Sequence, residues 1–198
     1  MEMLSMAFAS GWASGINAYA TVLIIGLLGR FTTVEGIPEG FQRTDVLIVM
    51  GILALVEFVA DKVPYVDSVW DGISTVIRPV AGAVIGALLA GASGDLTAIT
   101  LASVGGVTAL ISHLTKAGLR LAINTSPEPV TNITASLAGD LSVAGVVTLA
   151  VLNPIPAAII AAILLLLTAA LTYLLFSRVL RGWRAFRDWL AQPRTARP

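Results

Sequence analysis

SHLTKAGLRLAINTSPEPVTNITASLAGD, Ser112 to Asp140, interrupts sequence that is otherwise apolar enough to lie in a lipid bilayer. It carries the only His of the chain, His113, then Lys116, Arg120, Asn124, Pro127, Glu128, Pro129, Asn132, Ser136 and Asp140. A second island of the same kind, EFVADKVPYVDSVWDGISTVIRP, runs from Glu57 to Pro79. Each brings ionisable groups, Pro breaks and short polar side chains into hydrocarbon-compatible surroundings. Together they predict two islands that face each other inside a helical membrane bundle and form a polar site or pathway.

The composition points the same way. Of 198 residues, 57% are hydrophobic and only 12% charged, and the mean hydropathy is +0.89. A soluble domain carries about a quarter charged residues, so this balance predicts an all-α, polytopic membrane domain at residues 1–177. Cys is absent, which excludes a disulfide framework, a thiol nucleophile and a Cys metal site. The start, MEMLSMAFASGWASG, lacks a positive leading region and reads as the first span, not a cleaved signal.

Six apolar stretches follow in order: Met3–Gly29, Asp45–Asp61, Pro79–Ala92, Leu96–Thr115, Ile133–Leu152 and Ile155–Ser177. A spanning helix needs roughly 20 apolar residues. The third and fifth are short or broken, each after a Pro-containing island, and such paired broken spans mark midplane binding sites in transporters. With six spans, one side collects Lys62, Arg78, Lys116, Arg120 and six tail arginines, while the other has Arg30 and Arg43. That asymmetry predicts both termini in the cytoplasm of an inner-membrane protein. A weak repeat relates Thr44–Lys62 to Gly94–Lys116. In both, an Asp opens an apolar helix that closes on a Lys, 17 residues later in one copy and 21 in the other. Two spans separate the copies, so the repeat is a parallel one.

Glu57 and Asp61 share a helical face at i,i+4, as do Asp67 and Asp71, and as do Lys116 and Arg120 with His113 one turn earlier. One island is mainly acidic and the other mainly basic. An ionised side chain in the bilayer core costs at least roughly 2.5–3.5 kcal/mol, so such groups seek each other or water. Contacts are therefore expected among Glu57, Asp61, Lys116 and Arg120. The bland alternatives are that Lys62, Arg78, Lys116 and Arg120 snorkel into headgroups and that Asp67 and Asp71 are solvated loop residues. Glu57, after VMGILALV, and Asp140, between SLAG and LSVAGVV, are the best candidates for buried carboxylates that respond to a proton or cation. His113 reads more readily as a satisfied polar residue than as a base or ligand. A divalent cation on Asp67, Asp71, Glu128 and Asp140 matches no metal motif, and no metal or cofactor is expected.

Asn17 is a buried amide in need of partners. Gly11, Ser14, Gly15 and Ala18 around it form a small-residue packing face, as do Gly82, Gly86 and Gly91. Pro127 and Pro129 bar a single helix over Asn124–Thr134. Thr131 or Asn132 would cap the helix that follows. The tail from Arg178, with Trp183, Phe186 and Trp189 among arginines, reads as a short amphipathic helix on an anionic leaflet, not as a nucleic-acid arm.

At SGINAYATVLIIGLLGR (Ser14–Arg30), EFVADKVPYVDSVWD (Glu57–Asp71), RPVAG (Arg78–Gly82) and KAGLRLAINTSPEPVTN (Lys116–Asn132) the chain resembles a widespread family of uncharacterised bacterial integral membrane proteins, a domain of unknown function. The resemblance reaches to about Phe176 and implies a membrane location without an activity. It departs at Gly139–Asp140, where the family pattern has Glu-Asp, so a role for two adjacent carboxylates there is not carried over.

The reading that follows is a small carrier or channel with a charge-lined internal site for an ion or small polar solute, coupled to protons or cations. Its site residues are Glu57, Asp61, Asp67, Asp71, Arg78, His113, Lys116, Arg120, Asn124, Asn132 and Asp140. A lipid-phosphate binder or flippase holding the phosphate on Arg78, Lys116 and Arg120 is the second reading. A structural assembly protein with a dry, fully paired core is the third. An enzyme is not expected, since no nucleophile–base pair is spaced for catalysis. Membrane lipid and a second copy of the chain are the expected partners.

Overall fold

The structure, a computed structural model, describes residues 1–34, 36–91, 93–125 and 129–191. It is all helical, with no strand among the described residues. The described residues form eight helices in order: α1 Glu2–Ile16, α2 Ala18–Phe31, α3 Glu39–Gln42, α4 Thr44–Ala60, α5 Val66–Leu89, α6 Asp95–Ile123, α7 Pro129–Leu152 and α8 Pro154–Ala191. Four of them, α5 to α8, are long and apolar enough to cross a membrane.

The first apolar stretch is not one span. At Asn17 the backbone leaves helical geometry (φ −150°, ψ 97°), ending α1 and starting α2. Asn17 stabilises the break by accepting a hydrogen bond from Ala20 N at 2.9 Å, an N-cap that satisfies one orphan amide of α2. At 15 and 14 residues, each half is roughly 20 Å long, too short for a hydrocarbon core of roughly 30 Å. The chain therefore turns back. Glu2 and Met3, opening α1, line one crevice together with Val34, Gly36 and Ile37, just past α2. Leu89, Leu152, Asn153 and Pro154 line the same crevice, which defines an "Asn153 end" of the bundle. The hairpin enters there and its tip stops inside.

From that end the remaining helices alternate. Arg30, at the close of α2, donates to Thr44 at the start of α4 (2.8 Å), so α4 begins at the Asn153 end too. At the opposite, "Tyr65 end", Asp67 at the start of α5 meets Asn124 at the close of α6 (3.0 Å). The starts of α1 and α8 thus share one end, and α8 runs away from it. The start of α1 and the close of α8 therefore lie at opposite ends of the bundle, because the chain doubles back at Asn17. α4, at 17 residues, is shorter than the four membrane-length helices, and the α1–α2 hairpin lies beside them.

α1 lies at the centre, with a continuous buried run from Ala9 to Gly15. It meets α6 backbone to backbone, and α5 meets the same stretch of α6 in the same way. A Cβ on Gly11 would sit 2.5 Å from the Gly105 carbonyl oxygen, and one on Gly82 would sit 2.6 Å from the same atom. Small residues here let three helices approach without intervening side chains. Gly91 plays no part in that packing: its Cβ position is open and its φ is +53°, a turn geometry. α4 runs in the same direction as α6. However, it lies on the rim, with only Glu57 and Ala60 buried, and exposes Ile48, Ile52, Leu55 and Val59.

The third span is not short. α5 passes through Pro79 without ending, so the island Val66–Pro79 is itself helical and adds more than three turns. Likewise α6 continues past Thr115 to Ile123, and α7 begins at Pro129, so Thr131 and Asn132 lie inside it and do not cap it. A proline in the first turn leaves no donor unpaired. Pro127 and Glu128 lie outside the described residues. The tail is not a separate helix either: α8 runs unbroken past Ser177 to Ala191. Trp183, Phe186 and Trp189 form a contiguous aromatic row on it, ring centroids 6.2 Å apart at each step. Arg194 and Arg197 lie outside the described residues.

Candidate functional site

The inner face of α5 reads Asp67, Asp71, Ser74, Arg78, Gly82, Ile85, Gly86, Leu89, all buried. That i+3/i+4 stripe carries charge at the Tyr65 end, small residues in the middle and hydrocarbon at the far end. α4 contributes Glu57 and Asp61 from adjacent turns, and α6 contributes His113, Lys116 and Arg120. With Asp67, Asp71 and Arg78 of α5, these make eight charged or polar side chains that converge into one network beside the hairpin tip.

Arg78, 1% exposed, holds Glu57 Oε1 at 2.5 Å through Nη2 and lies 2.9 Å from Asp71 through Nη1. Lys116 Nζ reaches Asp61 at 2.7 Å and Glu57 at 3.8 Å. Arg120 meets Asp61 at 2.8 Å, Asp67 at 3.3 Å and Asp71 at 3.6 Å. Every cation is shared by at least two carboxylates, the arrangement expected when charges are withdrawn from water and must satisfy one another. Asn124 completes Asp67, donating to both carboxylate oxygens at 3.0 and 3.2 Å. Headgroup snorkelling for Arg78 and Arg120, and loop solvation for Asp67 and Asp71, are excluded by burial to 4% exposure or less.

His113 is fully buried, with Nδ1 2.7 Å from Arg78 Nη1 and Nε2 3.0 Å from Thr75 Oγ1. A guanidinium only donates, so Nδ1 must accept. The proton is then on Nε2, donated to Thr75, whose own hydroxyl passes to the Asp71 carbonyl at 2.9 Å. The ring is neutral and locked in one tautomer, a satisfied polar residue. Sequence reasoning missed Thr75; its position four residues after Asp71 and three before Arg78 was the signal.

The hairpin tip is part of the network. Lys116 donates to the Ile16 carbonyl at 2.7 Å, and Arg78 to the Gly15 carbonyl at 3.4 Å. The C-terminus of α1, with its orphan carbonyls and partial negative charge, therefore rests on two cations. Ser112 donates to the Trp12 carbonyl (2.8 Å) and Ser14 to the Arg78 carbonyl (3.0 Å), tying α1 to α6 and α5.

Asp140 stands apart from Glu57. It pairs with Lys62 at 3.3 Å, both side chains 19% exposed, and Lys62 also contacts Ser136 Oγ at 3.4 Å and lies 3.0 Å from the centroid of the Phe58 ring. Asn132 is buried at 1% exposure, and its amide has no hydrogen-bond partner among the described residues. The carboxylates once grouped for a divalent cation are thus divided: Asp67 and Asp71 face arginine, Asp140 faces lysine, and Glu128 is outside the described residues.

A chamber of about 630 Å³ opens between α1, α6, α7 and α8, within the size range of small-molecule sites. Asp61, Lys116, Arg120 and Asp140 form its polar flank, with Thr131, Thr134 and Ser136 nearby, while Leu164, Leu165 and Leu171 of α8 close the apolar side. Glu57 is not on its wall but directly behind Lys116. The arrangement can hold a solute with polar and apolar parts and relay its charge into the buried network.

No curated protein and no solved structure matches the chain. Residues 4–173 match the family model described as Domain of unknown function (DUF4126), and the chain belongs to that family.

Proposed function

We propose that this protein is a small membrane carrier or channel for an ion or small polar solute, with the chamber beside Lys116 and Asp140 as its transport site. The observation that supports this most is the chamber itself. It lies within a bundle of membrane-length helices, with hydrocarbon on one wall and a linked charge network on the other. Intramembrane ionisable residues mark substrate and proton pathways. A helical hairpin that ends inside the bundle is the kind of broken element from which transporters build their sites. Lys62 and tail arginines Arg178, Arg181, Arg184 and Arg187 gather at the Tyr65 end, against Arg30 and Arg43 at the other. By the positive-inside bias the Tyr65 end faces the cytoplasm of a bacterial inner membrane, and the N-terminus faces away.

The lipid-phosphate reading is less favoured, because Arg78, Lys116 and Arg120 each lie within 2.8 Å of a carboxylate that a phosphate would have to displace. The purely structural reading expects no chamber. Enzymatic chemistry is not proposed, since both ring nitrogens of His113 are engaged.

The test is reconstitution into vesicles. Pyranine-loaded proteoliposomes under a potassium diffusion potential read proton flux, and swelling in glycerol or urea reads small polar solutes. At least one signal should exceed empty vesicles and drop at least tenfold in Asp140→Asn and in Ala135→Trp, which fills the chamber. Folded protein that exceeds empty vesicles in neither assay overturns the reading.

A further inference from the structure

The buried network does not balance. Glu57, Asp61, Asp67 and Asp71 face Arg78, Lys116 and Arg120, and the hydrogen-bond geometry of His113 makes it neutral. Lys62 and Asp140 pair separately and cancel. Four carboxylates meet three cations, and one negative charge is left over. The half-helix ends do not supply the difference. The C-terminus of α1 brings a partial negative charge and the N-terminus of α2 a partial positive one, and the two cancel.

An uncompensated charge in a low-dielectric interior is far more expensive than an unpaired hydroxyl, and such a group neutralises instead. The surplus falls on Glu57. Asp67 has both oxygens bonded by Asn124 and a third contact from Arg120. Asp61 is gripped by two cations, at 2.7 and 2.8 Å. Asp71 lies between two guanidinium groups, at 2.9 and 3.6 Å, although neither of its oxygens accepts a hydrogen bond among the described residues. Glu57 has one close cation, Arg78, which it shares with Asp71, while its second, Lys116, is 3.8 Å away and committed to Asp61. Its Oε2 is buried without a hydrogen-bond partner among the described residues, and its side chain is 0% exposed, against 4% for Asp71. Facing it are Tyr19 from α2, Arg78 from α5, Lys116 from α6 and Asp61 at the close of α4. Behind these, Asp71 and His113 contact Arg78, and Arg120 contacts Asp61. A hard metal ion takes about six oxygen ligands. Oε2 offers one, with no group of three metal-compatible side chains among the described residues. The one missing charge fits a proton.

We propose that Glu57 Oε2 carries one exchangeable proton per chain at neutral pH, taken from bulk water, with no other bond made or broken. The protonated carboxyl keeps its Oε1 bond to Arg78, and the network becomes electrically neutral. This goes beyond the transport reading and stands without it, because it rests on the charge balance and contacts of the buried network and not on the chamber.

Infrared spectroscopy of the wild-type protein in lipid, with no substrate added, tests it. A protonated carboxyl stretching band should be present at neutral pH and shift in deuterium oxide. It should move when glutamate is ¹³C-labelled and stay when aspartate is labelled. Labelling leaves the fold untouched, and Glu57→Gln should then delete the band at unchanged helicity. Absence of the band, or its movement with aspartate label, overturns the proposal. So does one sodium ion bound per wild-type chain in calorimetry and lost in Glu57→Gln. Flux in vesicles is read separately, so failure of one reading leaves the other standing.

Discussion

Lys116 Nζ lies 2.7 Å from the carbonyl of Ile16, the last residue of α1. One ammonium on a long helix therefore holds the blunt end of a half-helix inside the bundle, and the same ammonium binds Asp61 of α4 at 2.7 Å. The hairpin tip, the acidic island and the basic island are one mechanical unit. Any movement of the tip must break or exchange bonds in the charge network, which is the coupling a carrier requires.

Replacing Lys116 by Met should therefore do two things: strip the cap from α1 and leave Asp61 with Arg120 alone. Removing one partner of a buried ion pair costs about 3–5 kcal/mol. Equilibrium unfolding in mixed micelles should show a loss of that order, with Lys116→Arg recovering part of it. A variant as stable as wild type would mean that the tip is held by its packing on Gly105 and Ala109 alone.

Glu57 and Asp61 differ only by one turn on the same helix, yet their neutral amide variants should behave differently. If Glu57 is already protonated, Glu57→Gln replaces one neutral hydrogen-bonding group by another and should stay within about 1 kcal/mol of wild type. Asp61→Asn removes the carboxylate between Lys116 and Arg120 and should lose about 3–5 kcal/mol. The same unfolding measurement compares them, and equal losses would show that both are ionised.

Much of this was legible in the residues. The i,i+4 spacing of Glu57 with Asp61 and of Lys116 with Arg120 placed each pair on one face, and the expense of isolated charge in hydrocarbon pointed each face at the other. The structure brings those four side chains together. The Asn17 turn was not legible. A hydrophobic stretch of that length satisfies a spanning helix as well as it does two halves, and only the lateral packing against α5 and α6 decides between them. Pro79 misled in the opposite direction. A proline removes one helical hydrogen bond and disfavours helix before it, but the helical residues on its N-terminal side, Val66 to Arg78, are held by a buried polar stripe that outweighs that loss. The pairing of Asp140 with Lys62, and not with the basic island, depends on the distance between α7 and α6, which no spacing along the chain encodes.

Gly105 should tolerate no side chain. Its Cβ would lie 2.3 Å from the Gly82 carbonyl oxygen, a backbone atom that cannot swing aside. Gly105→Ala must separate α5 from α6, and overpacking of this kind costs about 1–3 kcal/mol or more. Gly145, on α7, has no atom within 4 Å of the same position, so Gly145→Ala should be neutral or stabilise by up to about 1 kcal/mol through helix propensity. The pair of variants, made in parallel and unfolded under one condition, separates close packing from glycine's backbone effect.

Asp140 offers the sharpest separation of function from folding. Its pair with Lys62 is partly exposed, at 19% on each side, and such pairs contribute about 0–1 kcal/mol. Asp140→Asn should therefore unfold almost as wild type does, unlike Asp61→Asn. Yet Asp140 lies on the polar flank of the chamber with Lys116 and Arg120, and removing its charge frees the Lys62 ammonium that it holds. Flux in vesicles should drop at least tenfold while stability hardly changes. The reverse pattern, a destabilised protein with intact flux, would make the Lys62–Asp140 pair a brace between α4 and α7 and move the transport path away from the chamber.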